Sequence, residues 1–179
     1  MDNLIECLDD ISNNNNNLNE NIEKIRKFFN IEESNNSELL LDLINKYKIS
    51  FKDWLEKLVK TEPVPNEIKG LYFGLFEQNN GAVLYIAGSE RNYEEDDDWA
   101  CDPDYWPDER YLDFKDLNEI SETIKQLNIK MWKFVLATTM VIIKDYFQLY
   151  YEDFNKLVNN QTLFIGVGFD DGDFYILNF

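Results

Sequence analysis

The chain has 179 residues, thirty-five acids against seventeen bases, a formal charge of -18 and no histidine. An apolar share of 44% with 15% aromatics is enough to build one ordinary core. The charge argues against nucleic-acid and membrane-surface partners. The missing histidine rules out Ser/His and Cys/His catalysis and His-ligated metal centres.

Residues 1–62 read as helical. Leu4, Leu8 and Ile11 recur at helical spacing, and Leu18, Ile22, Ile25 and Phe29 repeat the pattern after a short asparagine run at 13–17. Ser37 is placed to cap a run holding Leu40, Leu43, Ile44 and Tyr47. Ser50 with Asp53 reads as the capping box of a further helix, with Phe51, Leu55, Leu58 and Val59 on one face and a stop before Pro63 and Pro65.

Beyond Pro65 the period changes to two. Apolar runs at 70–77 and 82–88 flank Asn79-Asn80-Gly81, a strong hairpin signal. An irregular segment at 90–113 follows, and helical spacing returns with Leu117, Ile120, Ile124 and Leu127. Residues 131–158 predict the most buried helix, with Leu136, Met140, Ile143, Phe147, Tyr150 and Phe154 on one stripe. Lys144, Asp145, Gln148, Glu152 and Asn155 fall on the outer face.

A second hairpin closes the chain. Leu163, Ile165, Val167 and Phe169 alternate with Phe164, Gly166 and Gly168 before a turn at 170–173 and a strand at 174–178. Glycines on one sheet face admit a close neighbour, expected to be the long helix, so that Gly166→Val or Gly168→Val would overpack it. The expected class is α+β, a single domain over 1–179. N-terminal amphipathic helices fill 1–62, and 68–179 carries an antiparallel sheet of two hairpins with the long helix packed on it.

Cys7 and Cys101 form no disulfide framework and read as free thiols in a reducing cytoplasm. The N-terminus lacks the basic and apolar regions of a secretory signal, and the apolar run 134–143 is too short to span a bilayer.

The strongest signal lies at 90–113. Eleven acids stand there against Arg91 and Arg110, nine net negative charges in 24 residues, interleaved with Tyr93, Trp99, Tyr105, Trp106 and Tyr111. Plain acidic tails are poor in aromatics. The rings serve either to anchor a solvated loop on the domain or to hold a basic partner that the acids attract, since Trp and Tyr dominate interface hot spots. On the second reading the contact residues are Glu94, Glu95, Asp96, Asp97, Asp98, Trp99, Asp102, Asp104, Tyr105 and Trp106.

Calcium also takes carboxylate oxygens, but no EF-hand spacing occurs, and neither 94–98 nor 170–173 has a visible second ligand segment. No phosphate-binding glycine loop and no nucleophile elbow is present. No catalytic residue, cofactor or metal is expected.

Three phrases together carry a resemblance: Phe73-Gly74-Leu75-Phe76-Glu77, Asp97-Asp98-Trp99-Ala100-Cys101 with Pro107 after it, and Val167-Gly168-Phe169-Asp170-Asp171-Gly172-Asp173. They resemble those of immunity proteins of bacterial polymorphic-toxin and contact-dependent inhibition systems, SUKH-like or of a related acidic family. The likeness runs from Ile68 to the C-terminus. Pro65 and Asn80-Gly81 fit the SUKH pattern, whereas the segment between them reads as strand where that family has helix. The resemblance implies a cytoplasmic, non-catalytic α+β protein that occludes a cognate toxin, a basic one on the charge argument. The alternative is an acidic adaptor or DNA mimic that binds a basic cellular protein.

Overall fold

The computed structural model describes residues 2–31, 35–78, 81–96, 98–112, 115–126, 130–159, 162–170 and 174–179. Its described elements are α1 (Asp2–Asn13), α2 (Leu18–Phe28), α3 (Asn35–Thr61), β1 (Gly70–Gln78), β2 (Gly81–Ser89), α4 (Lys115–Gln126), α5 (Met131–Leu157), β3 (Phe164–Phe169) and β4 (Phe174–Ile176). The fold is α+β. One core cluster runs from Leu4 to Leu177, so the N-terminal helices and the sheet share their apolar interior.

The asparagine run is built into the turn between α1 and α2. Asn17 Oδ1 accepts the Glu20 N–H at 3.1 Å while Glu20 Oε2 accepts the Asn17 N–H at 2.9 Å, a reciprocal cap. Asn14 Nδ2 donates to Asn21 Oδ1 at 3.0 Å. The helix expected from Ser37 begins two residues earlier, at Asn35, and the new start expected at Ser50 does not occur, because α3 is continuous to Thr61. No Gly or Pro interrupts it, and Leu43, Tyr47, Phe51, Leu55 and Leu58 keep one buried stripe through Ser50.

The strand order is β2-β1-β3-β4. Both expected hairpins are antiparallel, with Leu75 opposite Leu84 and Val167 opposite Tyr175. The central pair is parallel, however, with Leu71 beside Ile165 and Phe73 beside Val167, so the sheet is mixed rather than antiparallel throughout. The long return through α4 and α5 supplies the crossover that a parallel pair needs and that hairpin chemistry alone cannot reveal. Asn79, Asn80 and 171–173 lie outside the described residues, as does Leu127.

The two sheet faces are covered differently. Leu71, Phe73 and Leu75 join the helical layer, where Phe73 sits 5.5 Å from Phe51 and 6.1 Å from Phe147 between ring centroids. Tyr72, Tyr85 and Ala87 on the opposite face form a second cluster around Trp99. The long helix therefore does not cross the glycine face. A Cβ on Gly166 would lie 2.7 Å from Trp99 Cζ2, so the close neighbour is the acidic segment's own indole.

Helix α5 carries its predicted stripe, and Glu152 is exposed with Gln148 and Asn155 half-buried on the outer face, but Lys144 and Asp145 are buried there because α1 and α3 close over them. Lys144 is 0% exposed, and its Nζ donates to the Ile11 and Ser12 carbonyls at 2.8 and 2.9 Å, at the C-terminal end of α1. Asp145 is buried against Lys48 at 2.7 Å. The ammonium meets the carbonyls and negative dipole end of α1, which accounts for its burial.

Candidate docking surface

Residues 90–96 and 98–112 leave β2, turn across the second sheet face and return along the β2 edge. Tyr105 exchanges backbone hydrogen bonds with Gly88 at 2.9 and 3.0 Å; the Ile86 N–H donates to Arg110 O and the Leu112 N–H to Leu84 O, both at 3.2 Å. These bonds pair an edge that would otherwise be open to other strands.

A second set of bonds comes from the end of α3. Glu62 Oε2 accepts the Asp108 N–H at 2.6 Å and its Oε1 the Glu109 N–H at 2.9 Å. The Tyr105 hydroxyl donates to Glu62 O at 2.6 Å, and Trp54 Nε1 donates to Glu109 O at 3.2 Å. Burial first, and the Glu62 carboxylate second, push the Tyr105 phenol well above its ordinary pKa.

The plug of the segment is Trp99. It is 0% exposed, edge-on to Phe164 at 4.8 Å and to Tyr72 and Phe174 at 5.7 Å. Its indole N–H is buried without a hydrogen-bond partner among the described residues, so the hold is apolar.

The expected contact residues thus separate by direction. Trp99 and Tyr105 face inward and tether the segment, which removes them from any docking surface in this conformation. Glu94, Glu95, Asp98, Asp102 and Asp104 are exposed, Asp96 is half-buried, and Asp97 lies outside the described residues. Trp106 keeps 45% of its surface exposed.

Two of the carboxylates also shape the loop. Asp96 pairs with Arg91 at 3.1 Å and accepts the Asp98 N–H at 2.9 Å, and Asp104 accepts the Glu90 N–H at 2.9 Å. Arg91 reaches on to Asp102 O at 2.7 Å. Asp98 Oδ1 stands 3.9 Å from the exposed Cys101 thiol. Among the described residues no group of three or more Cys, Asp or Glu is placed to hold a metal ion. No described helix is long and apolar enough to cross a membrane.

Sequence reasoning missed Glu62, Tyr85, Arg110 and Asp170. Tyr85 lies over Gly74, where a Cβ would meet its ring at 2.2 Å, and its hydroxyl donates to Asp170 Oδ1. Burial, then the Asp170 bond, raise the Tyr85 phenol far above its ordinary value. Arg110 stacks on Trp106 at 4.5 Å and on Tyr111 at 4.7 Å. The period-two alternation did place Tyr72, Gly74 and Phe76 on one face; nothing local said which segment would cover it. No family model, no curated protein and no solved structure matches the chain.

Proposed function

We propose that this chain is a non-catalytic binding protein that neutralises a basic cognate toxin by occlusion, acting in the cytoplasm of the cell that makes it. The observation that carries the reading is the tied acidic rim. Glu94, Glu95, Asp98, Asp102 and Asp104 point outward from a segment whose backbone is bonded to β2 and α3, and whose Trp99 is locked beneath it. A charged surface held in place loses little conformational freedom when a partner docks. A concentrated negative field also speeds capture of a positive partner, by orders of magnitude at low salt. The resemblance of the phrases at 73–77, 97–101 and 167–173 to those of immunity proteins points the same way.

Co-expression with the product of the adjacent upstream gene tests the proposal by host survival. The expected result is rescue by the wild-type chain, and its loss when Glu94, Glu95 and Asp98 are changed together to Gln, Gln and Asn in a protein whose circular dichroism is unchanged. A neighbour that is not toxic, or toxicity without rescue, would overturn the toxin reading and leave the acidic adaptor or DNA mimic. In either case complex formation should weaken with salt, because the rim charges are exposed.

A further inference from the structure

An open groove of about 720 Å³ lies between the acidic segment and the second sheet face. Trp106, the exposed ring, lines it from the segment, Phe174 from β4, and Tyr72 and Tyr85, otherwise buried, from the strands; Asp98 and Asp170 complete the acidic part of the lining. None of the described residues that line it is basic. The rings are fixed: Tyr85 is bonded to Asp170 and sits 5.4 Å from Trp106, and the Tyr72 hydroxyl donates to Phe169 O at 3.1 Å.

Aromatic faces next to carboxylates attract cations, since the ring quadrupole is negative above its plane and each carboxylate adds a full charge. Arginine suits this lining better than lysine. Its planar guanidinium stacks on rings while its donor fork meets a carboxylate. The protein supplies its own precedent, because Arg110 already stacks on the same Trp106 and on Tyr111. The segment 90–113 contains no lysine, and the guanidiniums of Arg91 and Arg110 are taken up by Asp96 and by Trp106 with Tyr111.

We propose that the groove between Trp106, Tyr85, Asp98 and Asp170 is a binding site for an arginine side chain of a basic protein partner. For the partner's identity this rests on the docking function above; for the chemistry of the groove it does not. The rim acids steer, and the groove takes one guanidinium as an anchor.

The probe is the capped peptide acetyl-Gly-Arg-Gly-amide, compared with its citrulline counterpart, which keeps the shape and loses the charge. Nitrogen-15 spectra of the full chain should show saturable shifts of the Trp106 indole N–H and the Tyr85 amide with the arginine peptide, and at least about fivefold weaker binding of the citrulline peptide. Trp106→Leu and, separately, Asp98→Asn should each weaken arginine binding at least about fivefold, read at Tyr85, with the remaining spectrum unchanged. Equal binding of the two peptides would overturn the site, as would arginine shifts confined to Glu94 and Glu95 with Trp106 unmoved. Toxin neutralisation that needs the rim acids but survives Trp106→Leu would also overturn the groove while upholding the docking function. An arginine-specific shift at Trp106 in a protein that neutralises nothing upholds the groove and removes the toxin reading.

Discussion

On the helical face of the sheet, Leu71, Phe73 and Leu75 from β1 meet Phe51 from α3 and Phe147 from α5, with Ile165 and Val167 filling in from β3. On the other face, Tyr72, Phe164 and Phe174 converge on the one indole of Trp99. The helical side distributes its burial over many side chains. The loop side rests on few rings, Trp99 on the sheet face and Tyr105 beside β2, with the rest of the hold supplied by hydrogen bonds to β2 and to Glu62. Strands that alternate strictly between two faces can therefore support a shared core on one and a strapped segment on the other.

Truncating the two anchors should separate these modes. Trp99→Ala and Phe73→Ala each remove a large buried ring and are expected to cost about 3–5 kcal/mol in urea unfolding. Their hydrogen-exchange patterns should differ. Trp99→Ala should raise exchange first at the Ile86 and Gly88 amides, which donate to Arg110 O and Tyr105 O, while Phe73→Ala should raise it throughout the sheet and helices. A uniform rise in both variants would mean that the segment opens only when the whole protein does.

Gly166→Val sharpens the contrast with a smaller effect, about 1–3 kcal/mol, because the added carbons press on Trp99 Cζ2 and Cη2. Phenylalanine at position 99 lacks both atoms. The double variant Gly166→Val with Trp99→Phe should therefore cost less than the sum of its parts; additive costs would place the pressure elsewhere.

The smallest effect concerns the helical side. Lys144→Met leaves the Ile11 and Ser12 carbonyls without their ammonium donor and should cost about 1–2 kcal/mol at neutral pH. Desolvation, opposed by nearby Asp10 and reinforced by Lys24, lowers the Lys144 pKa from an ordinary 10.5 to about 8 in the folded protein. Between those two values the unfolded chain binds the proton that the folded chain has released, so the Lys144 contribution to stability rises with pH across that window. The deficit of Lys144→Met relative to wild type should accordingly widen from pH 8 to pH 10 in denaturant titrations. A constant deficit would show that the ammonium stays protonated in the fold.

Much of this fold could be read from local pattern. The buried positions Leu4, Leu8, Ile11, Ile22 and Ile25 lie where helical spacing puts them, and the strands of both hairpins follow their alternation. The Ser50 signal misled because a capping box acts only where a helix has somewhere else to go, and the unbroken stripe from Leu43 to Leu58 kept α3 whole. The candidate surface was legible as composition but not as direction. Nothing in 90–113 distinguishes an inward Trp99 from an outward Trp106, since both are tryptophans among acids.

What the sequence determined by itself is what depends on neighbours along the chain: helix and strand periodicity, the α+β class, and a strong negative field centred on one irregular segment. Tertiary structure decided everything that depends on a partner far away in sequence. Trp99 is buried because Phe164 and Phe174 arrive beneath it, the segment is held because Glu62 reaches Asp108, and Lys144 is interior because the end of α1 needs a donor. A side chain's direction is set by whichever element covers it. A mixed sheet, whose central strands meet only after the α4–α5 return, is invisible to any rule that looks a few residues at a time.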